Sequence, residues 1–197
     1  MFILVTGGSG SGKTSVSKML EKLGVHIIDT DVIAHEIVEP NSECLNELVD
    51  YFGDSILNDD KTLNRKKLAS IAFSDKQKTV ALSNITHKYI KAEVVKDINT
   101  TDAELVGIDG AVIIGSNVEP LCEFIVSVIA DKQSRITRIK TRDNITDEQA
   151  IQRINAQNDD EFYKENSMYI IYNNGDIAQL ESDVVGLFNK IKGNSFE

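Results

Sequence analysis

The amino-acid sequence predicts a three-layer α/β/α fold on a parallel sheet of about five strands. Three observations lead there. Short runs rich in Val, Ile and Tyr alternate with long helical patterns, as buried parallel strands alternate with their crossover helices. A glycine-rich loop joins the first such run to the first helical pattern. The second and third runs, at 25–29 and 103–109, stand much farther apart than one crossover helix needs, which predicts a helical insertion between them.

The first strand is "FILVT" (2–6), followed by "GGSGSGKTS". Gly7, Gly12, Lys13 and Thr14 fit G-x-x-x-x-G-K-[ST], the phosphate-loop pattern. Glycines at Gly7, Gly8, Gly10 and Gly12 let backbone N–H groups close around an anion, with Ser9, Ser11 and Ser15 completing the cradle. Lys13 reaches the outer phosphates and the Thr14 hydroxyl suits Mg²⁺. The helix that starts near Lys13 adds its positive end. Val16, Met19, Leu20 and Leu23 form its apolar stripe, and Gly24 is its stop. Strand, loop and helix together predict a P-loop NTPase core.

The remaining strands are "VHIID" (25–29), "AELVGID" (103–109), "FIVSVIA" (124–130) and "MYIIY" (168–172). The insertion reads as three helices, at 42–53, 64–73 with Asn64 as cap, and 75–98, with a turn at 58–62. The stretch 142–166 is highly charged and shows almost no apolar stripe, so it reads as a mobile, solvated lid. A helix is expected near 146–157, capped by Thr146 with Gln149 closing a capping box. An amphipathic helix at about 176–191 and a frayed tail end the chain. The expected division is a nucleotide-binding core of residues 1–38, 99–141 and 167–197, an acceptor-substrate insertion at 39–98, and the lid at 142–166.

Composition narrows the function. A net charge of −10 over 197 residues argues against non-specific binding of nucleic acid or anionic membrane. Cys44 and Cys122 are far apart and in no metal-ligating spacing, so they read as buried hydrophobes of a reducing compartment. No run of 18 apolar residues occurs, and the first residues lack a basic region before the loop, so a cytoplasmic protein is expected.

Outside the loop, Asp29 and Asp31 follow the second strand, at the end of a parallel sheet where ligands bind. Phosphoryl transfer to an alcohol needs a carboxylate to orient the hydroxyl and take its proton. Asp31 is the candidate base and Asp29 a helper for Mg²⁺ or substrate, although Asp29, Thr30 or Asp31 can simply cap the next helix. Arg135, Arg138 and Arg142 lie on one helix face in the densest positive cluster, suited to phosphate oxygens. Asp109 either holds Mg²⁺ through water or closes a turn before Gly110. Asn174-Gly175 is a turn signal, and its place after the last strand is where P-loop kinases often hold adenine. His26, His35 and His87 have no metal spacing, and His87 reads first as structural. A guanine-specific N-K-x-D is missing, since "NKIK" at 189–192 falls in the terminal helix without the Asp. A small-molecule kinase remains.

"LGVHIIDTDVIAHEIVEP", "TLNRKKL", "ITHKYIKAEV", "RITRIKTRDNIT", "RINAQ" and "NNGD", with the loop itself, resemble the dephospho-CoA kinase family in order and approximate spacing. The resemblance spans nearly the whole chain. It implies transfer of the ATP γ-phosphate to the ribose 3′-hydroxyl of dephospho-CoA, with Mg²⁺. It carries the catalytic Asp onto Asp31 and the phosphate-neutralising Arg onto Arg138, beside Lys13. Arg142 matches a further family Arg, and Arg65 and His87 match positions of the substrate-binding insertion. Three departures stand out. His87-Lys88 replaces H-P, Pro40-Asn41 replaces P-G, and "AVIIG" (111–115) replaces a P-L-L-F-E type segment beside the acceptor site. The last leaves open a kinase for another nucleoside, nucleotide or small alcohol, or a nucleotide-binding protein without catalysis.

Overall fold

The computed structural model describes residues 1–111 and 113–193. Val112, within "AVIIG", and the end of the tail, 194–197, lie outside the described residues. In chain order the elements are β1 (Phe2–Thr6), α1 (Lys13–Lys22), β2 (His26–Asp29), α2 (Thr30–Glu36), α3 (Glu43–Phe52), α4 (Arg65–Ala72), α5 (Lys76–Thr100), β3 (Val106–Asp109), β4 (Phe124–Ile129), α6 (Lys132–Asp143), α7 (Asp147–Asn155), α8 (Asp160–Glu165), β5 (Tyr169–Tyr172) and α9 (Ile177–Gly193). They form two compact units, Met1–Ile28 with Thr101–Glu197, and Asp29–Thr100. The 142–166 stretch lies in the first of these units.

The first unit is built on a five-stranded parallel sheet in the order β2-β3-β1-β4-β5. Leu4 of the central strand stands opposite Ile108 on one side and Ile125 on the other. Ile3, Leu4 and Val5 are fully buried, which is why this strand carries no polar alternation. Ile3 and Val5 join Val126, Val128 and Ile171 in one core, closed by Val16 and Leu20 of α1 and by Leu180, Val184, Leu187 and Ile191 of α9. Leu4, between them in sequence, points to the other face.

The predicted stop of α1 takes the expected form. Gly24 has φ +92°, its N–H donates to Glu21 O, and the Val25 N–H donates to Leu20 O. This is the paired closure that a left-handed glycine permits.

The stretch 142–166 corrects one expectation. The capping box forms, with Gln149 N–H on Thr146 Oγ1 and Thr146 N–H on Gln149 Oε1. An apolar stripe does exist, however: Ala150 and Ile154 are buried with Ile136 and Ile139 of α6, and Ile145 and Ile151 pack beside them. A small Ala and widely spaced Ile residues gave little signal among so many charges. A short second helix, α8, was not expected. Asp159 caps it, and its Tyr163 is buried.

In the second unit, Ser42 caps α3 and Asn64 caps α4, the latter as expected. Cys44, Leu45 and Leu48 of α3, Leu68 and Ala72 of α4, and Ile85 and Val94 of α5 are buried. Asn41 takes φ +68°, a left-handed conformation that Asn tolerates better than most residues with a side chain. No helix among the described residues is long and apolar enough to cross a membrane.

Candidate functional site: a braced phosphate loop and an acidic helix start

The phosphate loop runs from the end of β1 into α1. Gly7, Gly10 and Gly12 hold φ of +142°, +76° and +104°, a path that residues with a side chain rarely take. Gly12 ends the loop as the N-cap of α1 and has no side-chain cap. The Gly12 carbonyl accepts from the N–H groups of Ser15 and Val16, at 2.9 and 3.2 Å, so the first turn of α1 opens directly from the loop, where a helix start favours an anion. No acidic residue sits in this first turn. Lys13 Nζ donates to the Gly7 carbonyl at 2.9 Å, which folds the ammonium over the loop. The side chains of Thr14 and Ser15 are exposed on the first turn.

Four side chains brace this loop. Arg138 Nη1 donates to the carbonyls of Gly10 and Ser11, each at 3.2 Å, and its Nη2 donates to the Asn173 carbonyl at 2.9 Å. Asn173 is buried and donates from Nδ2 to Ser11 O at 2.8 Å. Arg135, 5% exposed, donates from Nε to Ser9 O at 2.9 Å and pairs with Asp160. The Ser9 N–H, expected to face phosphate, donates to Gln157 Oε1 at 2.7 Å. The three arginines predicted on one face therefore part company. Arg135 and Arg138 grip the loop, whereas Arg142 is exposed and bound to Asp143 through Nε at 2.7 Å and Nη2 at 2.9 Å.

Asp109 is buried at the end of β3, where its Oδ2 accepts from the Ser17 hydroxyl of α1 at 2.8 Å. The carboxylate is thus oriented from the loop's own helix. Asn174 accepts from the Asp131 N–H through Oδ1 at 2.8 Å, which ties the turn after β5 to the start of α6. Among the described residues, no group of three His, Cys, Asp or Glu side chains could hold a metal ion. A single hydroxyl beside a phosphate cradle suits Mg²⁺, which is commonly held by substrate phosphates and water with few protein ligands.

In the second unit, Asp29 and Asp31 separate into two tasks. Asp29 caps α2, with Oδ1 accepting from Asp31 N at 2.9 Å and Val32 N at 3.1 Å. The Asp31 side chain is exposed in the first turn of α2 and is left clear of capping. Arg65, first residue of α4, donates from Nη2 to His35 Nδ1 at 2.9 Å. An arginine only donates, so His35 accepts at Nδ1 and carries its proton on Nε2. His35 and Asp31, four residues apart on α2, share a face. His87 is half-buried on α5, and burial pushes its pKa down. The structure does not bond it to Arg65. Its neighbours Lys88 and Tyr89 both bind Glu47 Oε2, at 2.6 and 2.7 Å.

Sequence reasoning missed Asn173, Ser17, Gln157 and His35. Asn173 adjoins the predicted Asn174, and Gln157 ends the quoted "RINAQ", so both positions lay close to the signal.

A phosphate loop after the first strand and a parallel sheet in this order, with a helical insertion after the second, define a P-loop kinase of small molecules. The sequence profile described as "CoaE: Dephospho-CoA kinase" matches residues 1–179, and the chain belongs to that family. A dephospho-CoA kinase from Lactobacillus johnsonii is 34% identical over 193 residues, covering 96% of this chain and 98% of its own. A solved dephospho-CoA kinase from Campylobacter jejuni superposes with a TM-score of 0.65 at 27% identity, covering 98% of each chain. TT1252 from Thermus thermophilus has the same fold, with a TM-score of 0.83 at 23% identity, covering 96% of this chain and 97% of that one.

Proposed function

We propose that this chain transfers the γ-phosphate of ATP to the ribose 3′-hydroxyl of dephospho-CoA, giving CoA, in the cytoplasm. The observation that carries the reading is the braced loop: glycine backbone, uncapped helix start and Lys13 ammonium form a triphosphate cradle. It lies in a chain that matches the family profile along residues 1–179.

Lys13 neutralises the migrating phosphoryl group directly. Arg138 acts from behind the loop, holding the Gly10 and Ser11 carbonyls so that the neighbouring N–H groups stay turned toward phosphate. The Asp31 carboxylate orients the acceptor hydroxyl and accepts its proton as the new P–O bond forms. Arg65 and His87 contact the acceptor, Arg142 the nucleotide phosphates and Asn174 the adenine. When bound with ATP, Mg²⁺ would be held by Thr14 and, through water, by Asp109, and would offset phosphate charge.

The test is ADP release from Mg-ATP, with and without dephospho-CoA, with the product weighed by mass spectrometry. Stimulation by dephospho-CoA and a product heavier by one phosphoryl group support the reading. Bound ATP without stimulation would redirect it to another acceptor, and "AVIIG" would be the first segment to restore.

A further inference from the structure

The main chain of Ser9 is held from both sides. Its carbonyl accepts from Arg135 Nε at 2.9 Å and its N–H donates to Gln157 Oε1 at 2.7 Å. Arg135 is a nearly buried residue of α6, and its guanidinium lies over Gly8 so closely that a Cβ there would stand 2.3 Å from Nη2. Gln157 comes from the turn between α7 and α8, whose anchorage is independent: Ala150 and Ile154 in the small core with α6, and Asp160 in the ion pair with Arg135. The flank of the phosphate loop is therefore fixed to the 145–166 stretch by a bond to the loop backbone itself.

We infer that Gln157 is a positioning residue for nucleotide binding. It acts through Ser9, holding the loop in its binding shape before ATP arrives. Glycines at three positive-φ positions make this loop expensive to order, because glycine loses more conformational freedom than any other residue. A loop ordered in advance does not charge that loss to ligand binding, so affinity rises. The Ser9 N–H is not one of the phosphate ligands in this scheme. Its bond to Gln157 persists when ATP is bound. The inference rests on the nucleotide-binding part of the proposed function; the ATP dissociation constant and the exchange of the Ser9 amide test it whatever the acceptor, and the KM comparison applies where dephospho-CoA is turned over.

The test uses the full chain and two variants, with the ATP dissociation constant measured by calorimetry and both KM values by turnover. Gln157→Met keeps the volume and loses the acceptor, whereas Gln157→Glu keeps an acceptor oxygen at the same reach. Gln157→Met is expected to weaken ATP binding about five- to ten-fold, the worth of one hydrogen bond to a backbone group. The KM for dephospho-CoA should stay within about two-fold, the scale of an uncoupled change. Gln157→Glu should restore the ATP affinity. Unchanged or tighter ATP binding in Gln157→Met, a Gln157→Glu variant as weak as Gln157→Met, or a parallel rise in both KM values would each overturn the inference. The unaltered protein gives a check that needs no variant: without nucleotide, the Ser9 amide should exchange slowly with solvent, and fast exchange would also overturn it.

Discussion

The Arg138 guanidinium spans from the carbonyl of Asn173, after β5, to the carbonyls of Gly10 and Ser11 in the phosphate loop. One side chain of α6 thus joins the end of the sheet to the backbone of the glycine loop. Its planar fork makes this possible, since one guanidinium can serve several acceptors in fixed directions. Arg138→Lys keeps the charge and loses the fork. It is expected to weaken ATP binding about ten-fold, with at least one half-buried carbonyl left without a donor at a cost of about 1–3 kcal/mol. A nucleotide titration decides this. Wild-type affinity in Arg138→Lys would leave only the charge important.

Gly12 and Gly186 should respond to alanine with opposite signs. A Cβ at Gly12 would lie 2.0 Å from Asn173 Nδ2, at φ +104°. Asn173 is buried and already bonded to Ser11 O, so it yields only by giving up that bond. Gly12→Ala should therefore abolish measurable ATP binding, with about 1–3 kcal/mol of backbone strain added. Gly186 lies exposed in α9, with nothing within 4 Å of its built Cβ. Gly186→Ala should raise stability by about 0.5–1 kcal/mol through helix propensity. Thermal unfolding of both variants, with ATP titration of the first, provides the comparison.

Asp31→Ala tests the proposed chemistry apart from binding. Asp29, not Asp31, caps α2, so removing the Asp31 carboxylate leaves the helix start intact. The variant should fold and bind ATP like the unaltered chain, while kcat falls roughly 10²-fold or more, the usual worth of a positioned general base. Near-normal turnover would end that role for Asp31. Destabilisation would show that the carboxylate serves α2 after all.

The parts legible in the sequence were those with short-range causes. Buried parallel strands announce themselves as apolar runs, Gly24 as a stop, and Asn64 and Thr146 as caps, because each acts on backbone within a few residues. The glycine loop was legible for the same reason. The loop's supports were not. Ser9 and Gln157 are 148 positions apart, and no local pattern says which distant amide meets which N–H. Arg135, Arg138 and Arg142 look alike on a helical wheel, yet only packing separates a buried clamp from a surface ion pair. Which of Asp29 and Asp31 caps α2 was equally undecidable from composition, since both satisfy the same preference.

Asp143 gives the fold a dependence on acid. It is the last residue of α6 and lies where α6 turns into α7, next to Asn144 at φ +51°. Arg142 donates two hydrogen bonds to it, and Arg153 of α7 pairs with it as well. The hydrogen bond from Arg142, then the charges of both arginines, hold its pKa down at about 2, against 3.8 for the free side chain. A carboxylate whose folded pKa is depressed contributes its stability in full above the unfolded value and loses it as pH falls through the folded one. The contribution of Asp143 is therefore complete above about pH 4 and fades between about pH 4 and pH 2. Asp143→Asn removes the titration. At neutral pH the variant should melt at a lower temperature than the unaltered protein, and across that acid window its melting temperature should fall less steeply. Because the pair joins α6 to α7, amide exchange in Asp147–Asn155 should quicken first. Parallel melting curves for the two proteins through the window would mean that other carboxylates govern acid unfolding.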